Sequence, residues 1–338
     1  MSRRSVLAGA PLLLMSGRAS ADDRQDWLVF KRRFVAADGR VVDTGNGGIS
    51  HTEGQGWGLR FAVAFDDPAT FDLILGWTAR HLRRPGDALH AWRFDPAAAR
   101  PVSDWNNATD GDISIGSALW RAAHRWGRPD HAEAAAAIGR DVLDLLVRRA
   151  GHRCVLLPGA AGFETADSLT VNPSYYCFPA LHDLAQASPS PLWDRLRSDG
   201  IALLAEARFG QWGLPPDWLS VARLDGALAP AAGWPARFSY DAIRVPLNLA
   251  WSGLPNSPVQ AACAHFWSCT HPAPAWVDLR TGALADYRAP PGMVAVARIA
   301  ASDRASTPDL PKIDAASDYY SAALILLSRV AWQEMNPA

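Results

Sequence analysis

Between Asp112 and Trp126 the apolar residues Ile115, Ala118, Leu119, Ala122, Ala123 and Trp126 recur every three or four positions, so they fall on one face of a helix. The same period predicts further helices at roughly 22–35, 54–65, 68–84, 131–149, 174–187, 191–208, 241–252, 257–268 and 317–332, about ten in all. Strand signals are few and short, as at Arg40 to Val42 and Met293 to Ala297. The fold class is therefore mainly α with a minor β element. No repeat stands out, which argues against a regular solenoid. Ten or more helices joined by short loops fit a toroid of paired helices, an inner ring packed against an outer one. The periodicity is equally compatible with an irregular helical domain. In a toroid the inner helices run parallel, and the loops entering their N-termini gather on one face.

Composition changes the picture at the N-terminus first. Residues 1–21 carry the Arg3-Arg4 pair, an apolar stretch from Val6 to Met15 and the small-residue end Ala19-Ser20-Ala21. This is the pattern of an export signal cleaved after Ala21, with an arginine pair that hints at the twin-arginine route. Its apolar core is too short to span a bilayer, which takes about 20 residues. The expected location is periplasmic or secreted, without membrane insertion. Residues 22–338 show no linker or charge block and read as one domain. A net charge of −1 with scattered basic residues argues against a nucleic-acid surface and favours a neutral partner. Of the four cysteines, Cys263 and Cys269 are the expected pair in an oxidising compartment. No Cys or His spacing suggests a metal, and no cofactor is expected. Fifteen tryptophans are the outlier, several of them in polar or Gly/Pro-bearing stretches: Trp57, Trp92, Trp105, Trp212, Trp218 and Trp234. Flat indoles along a groove suit the apolar faces of sugar rings.

Three acid-bearing segments stand at predicted helix entries. They are Thr52-Glu53-Gly54-Gln55-Gly56-Trp57-Gly58, Trp105 to Asp112 with Asp110 near its end, and Ser239-Tyr240-Asp241-Ala242-Ile243-Arg244. Each also fits plain helix capping: Thr52 with Gln55 and Thr109 with Asp112 match capping boxes, and Asp241 matches an N-cap. Capping does not explain glycines at 54, 56 and 58, each of which weakens a helix by roughly 1 kcal/mol relative to alanine. Close approach of a ligand to the backbone is the alternative.

Taken in order, GQGWG after Glu53, ATDGDISIGSALWRAAHRW from Ala108, VNPSYY from Val171, LPPDWL from Leu214, YDAIRVPLNLAWSG from Tyr240 and SDYYSAAL from Ser317 resemble glycoside hydrolase family 8. Within it, the chain is similar to the periplasmic endoglucanases that accompany bacterial cellulose synthase. The resemblance runs from about residue 25 to 333. It implies an (α/α)6 barrel with an open groove that cuts internal β-1,4-glucosidic bonds by inversion. It also implies a β-1,4-glucan chain as substrate and a cellulose synthase export complex as a partner. The family's general acid falls on Glu53, its base on Asp241, and the aspartate that positions the sugar at the cleavage point on Asp110. Tyr175 matches a tyrosine near the nucleophilic water, Trp92 a groove aromatic and Arg244 an arginine beside the base. Trp57 and Asn172 fall among the substrate-binding positions. Some members carry a Trp-Gly-Gly segment before the NPSY motif. This chain reads PGAAGFETADSLTVNPSY, with Phe163 as the candidate replacement platform.

The chemistry agrees, because acetal hydrolysis needs one carboxylic acid to protonate the leaving oxygen and one carboxylate to activate water. A helix entry favours an ionised Asp241. Burial beside Trp57 and repulsion from Asp110 are expected to keep Glu53 protonated. In an inverting enzyme the two carboxyls stand roughly 6.5–9.5 Å apart. The competing readings are another β-1,4-glycanase, a chitosanase or xylanase, and a non-catalytic glucan-binding component of an export complex.

Overall fold

The computed structural model describes residues 20–254, 256–302 and 305–337. The expected export segment lies almost wholly outside them. Eleven α-helices occur among the described residues: α1 Ala21–Phe34, α2 Thr52–Ala64, α3 Pro68–His81, α4 Thr109–Trp126, α5 Pro129–Leu146, α6 Phe178–Ala187, α7 Pro191–Glu206, α8 Arg244–Trp251, α9 Pro258–Cys269, α10 Pro291–Ala300 and α11 Tyr319–Met335. Helices α2, α4, α6, α8, α10 and α11 pack each on the next and close a ring, while α1, α3, α5, α7 and α9 cover it from outside. The architecture is an (α/α)6 barrel. α11 is buried along nearly its whole length, as an inner helix must be.

Short antiparallel strands sit in the loops. β1 (Ser50–His51) pairs with β2 (Arg93–Phe94), and β3 (Val147–Ala150) with β4 (Arg153–Leu156). β5 (Ser168–Val171), β6 (Leu219–Ala222) and β7 (Leu228–Pro230) form a three-stranded sheet in that order, with Val171 opposite Leu219, and β8 (Arg237–Phe238) pairs with β9 (Val277–Asp278). The last two groups stand directly before the site loops, so they fix where the chain enters α6 and α8.

Three expectations are corrected. Met293 to Ala297 is not a strand but the middle of α10, with Met293, Val296 and Ile299 buried on one side. A short, fully apolar run has the same appearance as strand or buried helix, and Gly292 decides it: a Cβ there would lie 2.4 Å from the Ser321 carbonyl, so α10 lies hard against α11. The helix expected to reach 149 stops at Leu146, because Gly151, at φ +56°, turns the chain into the β3–β4 hairpin. All four cysteines are free thiols. Cys263 is buried and Cys269 exposed on the one helix α9, where six residues of separation place them on different faces.

The glycines of α2 serve helix packing rather than sugar entry. A Cβ on Gly56 would lie 2.6 Å from the Ser114 side chain, and one on Gly111 of α4 would lie 2.2 Å from Thr52 Oγ1. The two helices therefore meet glycine to glycine at their N-terminal ends, which carry Glu53 and Asp110. At the opposite end Arg60 of α2 and Arg121 of α4 pair with Asp183 of α6 and Glu334 of α11, tying four inner helices together. Inner N-termini thus share one face and C-termini the other.

Gly111→Ala is expected to cost about 1–3 kcal/mol through overpacking against the Thr52 backbone. Gly76→Ala on α3 meets only the flexible end of Arg80. That change should gain roughly 0.5–1 kcal/mol. Thermal melts of both variants decide it, and a Gly111→Ala protein as stable as the wild type would contradict the packing account.

Candidate active site

Glu53 is the second residue of α2, and its helix start is set by neighbours rather than by Thr52. His51 is the N-cap, its Nδ1 accepting from Gly54 N at 3.0 Å, while Nε2 faces Asp43 Oδ2 at 3.2 Å. The expected Thr52–Gln55 capping box is absent. Gln55 turns inward, accepting from Val41 N at 2.6 Å and donating to Thr78 Oγ1 at 2.9 Å. Burial works against a charge on His51, but the Asp43 hydrogen bond and the charges of Glu53 and Asp110 raise its pKa overall. The Gly54 amide, however, needs the Nδ1 lone pair, so capping requires the neutral ring.

Asp110 is likewise the second residue of α4. The Thr109–Asp112 box does not form either: Thr109 donates to the Leu157 carbonyl at 2.6 Å, and Asp112 Oδ1 accepts from His90 N at 3.0 Å and lies 2.9 Å from His90 Nδ1. Asn107 completes the Asp112 cluster from the other oxygen at 3.0 Å. This buried group pins the segment carrying Trp92 to the start of α4. Trp92, half-buried, donates its Nε1–H to Asp104 at 2.8 Å. Its backbone holds Thr52 N at 3.0 Å, so its position is locked to that of Glu53.

Asp241 precedes α8 by three residues and does not cap it; the N-cap is Ile243. Burial raises the Asp241 pKa, the Arg244 charge pulls it back, and Asp110 pushes it up again. The net shift is upward, and the Arg244 guanidinium is the charge that opposes it. Asp217, in LPPDWL, is a functional position that the sequence reading passed over. Its carboxylate accepts from Ser239 N at 3.0 Å and Ala242 N at 2.8 Å, gripping the turn that holds Asp241 on both sides. Its pKa is pushed up to about 6 by burial and the Asp241 charge. A buried aspartate between two prolines and a tryptophan was the available signal.

Arg244 joins the set. Nη1 bonds Glu53 Oε2 and lies 3.5 Å from Asp110 Oδ2, while Nη2 bonds Asp241 Oδ1 at 2.6 Å. Arg244 is only 5% exposed, and its guanidinium sits 5.5 Å from the Trp57 ring centroid. Trp57, itself 5% exposed, thus supports the arginine and offers no face to a sugar. Asn172 is fully buried: its Oδ1 accepts from Ser174 N and Oγ, and its amide faces Asp241, favouring the ionised form. The contacts shown for Trp57 and Asn172 are thus with the charged groups, Arg244 and Asp241.

The raised carboxyl is Asp110, which burial and the neighbouring Glu53 push up to about 7, with a hydrogen bond between the two side chains. Close to neutral pH this holds a proton on Asp110, beside the Glu53 side chain. The Tyr175 phenol, held by the turn Pro173–Tyr175, is driven well above the ordinary range by burial and by Asp110 and Asp241, so it stays a hydrogen-bond donor. An open groove passes over these groups, with Glu53, Asp241 and Arg244 in its wall and Tyr240 and Tyr320 beside them.

The model of the glycosyl hydrolases family 8 matches residues 3–334. A probable endoglucanase of Novacetimonas hansenii is 47% identical over 99% of both chains, and an endoglucanase of Cellulomonas uda is 41% identical over 80% of this chain and 75% of its own length. The solved endo-β-1,4-glucanase CMCax from Acetobacter xylinum superposes with a TM-score of 0.89 at 47% identity, covering 93% of this chain and 98% of that one. With a match spanning nearly all of its length and a barrel that carries its acids at one mouth, the chain belongs to glycosyl hydrolase family 8.

Proposed function

We propose that the chain is an endo-β-1,4-glucanase that hydrolyses internal bonds of a β-1,4-glucan by inversion. The observation that carries the reading is the convergence of Glu53, Asp110 and Asp241, from three separate helix entries, on the one guanidinium of Arg244 in an open groove. An open groove suits cleavage within a chain. Asp110, pushed up to about 7, keeps a proton beside Glu53 close to neutral pH, and Glu53 delivers a proton to the leaving glycosidic oxygen. Asp241, bonded to Arg244 and placed by Asp217, takes a proton from the attacking water as the C–O bond breaks. Tyr175 donates a hydrogen bond that fixes this water, and Asp110 holds the sugar at the cleavage point. Trp92 stacks on a sugar ring beside the acid. Arg244 changes partners during the cycle, since the substrate oxygen must reach the Glu53 carboxyl that it bridges.

The leader at residues 1–21 supports a periplasmic or secreted enzyme. The similarity to endoglucanases from a cellulose-producing lineage supports work alongside a cellulose synthase export complex. Release of reducing ends from carboxymethylcellulose, with chitosan and xylan as the competing substrates, tests the substrate directly.

Glu53→Gln and Asp241→Asn are each expected to lower kcat by at least about 10²-fold with an unchanged circular dichroism spectrum, because each removes one proton-transfer role at nearly constant volume. Near wild-type activity in either variant would remove that assignment. The first product from a cello-oligosaccharide should be the α-anomer. Proton NMR in early turnover reads this, and initial β-anomer would sink the single-displacement mechanism.

The pH dependence of stability follows from Asp110. Its folded pKa of about 7 lies above the ordinary 3.8, so between these values the folded state binds more protons than the unfolded chain. The contribution of Asp110 to wild-type stability therefore falls as pH rises through this window. Asp110→Asn does not titrate, so its melting temperature should improve relative to wild type from pH 4 to pH 8. A difference independent of pH would contradict the raised Asp110 pKa.

A further inference from the structure

The Glu53 carboxyl is placed by the first turn of α2, and a histidine holds that turn. His51 Nδ1 accepts from Gly54 N at 3.0 Å, one residue beyond Glu53, while Nε2 faces Asp43 Oδ2 at 3.2 Å. Asp43 is buried and braced: its Oδ1 accepts from Gly45 N at 2.9 Å and its Oδ2 from Asn46 Nδ2 at 2.6 Å. Burial works against a charge on Asp43, but the hydrogen bonds from His51 and Asn46 hold its pKa below the ordinary value. An ionised carboxylate only accepts, so the ring proton sits on Nε2 and the Nδ1 lone pair is left for Gly54.

The fit around Gly54 is close. A Cβ there would lie 3.0 Å from Tyr319 Oη and 3.4 Å from His51 Cε1, and the His51 and Tyr319 rings meet edge-on with centroids 5.7 Å apart. Thr44 Oγ1 accepts from Tyr319 N at 3.0 Å, which ties the Asp43 loop to α11. Charged groups surround the ring. Burial opposes a charge on it, whereas Asp43, Glu53 on α2 and Asp110 on α4 favour one. Arg93, opposite His51 in the β1–β2 pair, is engaged by Asp95 at 3.1 Å, and burial drives the Tyr319 phenol well above the ordinary range, so it stays neutral. Asp241, Arg244 and Asp318 line the same groove. A proton on Nδ1 would aim an N–H at the Gly54 N–H, so the capped turn and the charged ring exclude each other.

We propose that His51, oriented by Asp43, is a positioning residue for the hydrolysis: its neutral ring holds the first turn of α2 so that the Glu53 carboxyl reaches the leaving oxygen. Protonation of the ring releases that turn and lowers turnover. The proposal rests on the glucanase reading with Glu53 as its acid. The test is the pH dependence of kcat and KM on carboxymethylcellulose for wild type, His51→Ala, His51→Asn and Asp43→Asn. His51→Ala should lower kcat at pH 7 by at least about tenfold with KM nearly unchanged, because it loosens the acid and not the groove. Asparagine at an N-cap accepts from the same amide and does not titrate, so His51→Asn should recover most of kcat and extend activity to lower pH. In Asp43→Asn the side-chain oxygen stays with Gly45 N, so its NH2 faces Nε2 and favours the Nδ1–H tautomer; kcat should fall with an unchanged circular dichroism spectrum. An acid limb identical in wild type and His51→Asn overturns the proposal, and this comparison decides even where His51→Ala does not fold. A His51→Ala protein that melts lower but keeps its kcat overturns it as well, since the ring would then serve stability alone. So does a rise in KM without loss of kcat, which would make His51 a sugar contact. A wild type inert on carboxymethylcellulose would instead fell the glucanase reading itself.

Discussion

A single buried cation carries the site. Taking carboxylates out of water is costly, and the cost shows in Asp110 and Asp241, whose pKa values burial drives up. Arg244 is the charge that both share with Glu53, and it must itself be paired to be buried. Trp57 completes its surroundings from below with the π face of its ring, at 5.5 Å. Removing any of these groups leaves the others under-compensated. These side chains therefore form one electrostatic unit, in which no charge is set independently of the others.

Geometry reaches that unit through backbone contact. Glu53 and Asp110 occupy equivalent second positions of α2 and α4, and the Gly56 and Gly111 contacts bring those helix starts together. A side chain at either glycine would separate the two carboxyls. Trp92, bonded through its backbone to Thr52 and Asn106, follows the same movement. Helix packing and acid–base tuning are thus consequences of the same small residues.

The barrel and the principal acids were legible because both leave local marks. The i, i+3, i+4 stripe of α4 survives intact in the structure, and Glu53, Asp110, Asp241 and Arg244 do converge from helix entries. What was illegible depends on partners distant in sequence. Glycines 54, 56 and 58 look the same whether they face a ligand or a helix, and only the position of α4, α3 and Tyr319 decides. Trp57 in a polar stretch read as a groove aromatic, yet the polar stretch is itself interior, with Gln55 fully buried among backbone groups. The capping boxes failed for a similar reason. Thr109 and Asp112 found tertiary partners in Leu157 and His90, which outcompeted the local bonds. Asp217 escaped notice because it lies outside the helix entries, and the His51–Asp43 pair because a histidine at Ncap matches no capping-box pattern.

The two ends of the barrel show how the same residue types give structure at one end and chemistry at the other. At the C-terminal end two arginines, Arg60 and Arg121, meet two acids, Asp183 and Glu334, and the Trp251 indole donates to Glu334 at 3.0 Å. Charges match there, and the cluster fastens helices. At the N-terminal end three acids face one arginine, with Asp217 close behind Asp241. That excess of negative charge in a desolvated wall opposes full ionisation, raising Asp110 to about 7 and Asp241 above its ordinary value, while Arg244 pulls both back. Carboxyls pushed apart by their surroundings in this way are what an acid–base pair working at one pH requires.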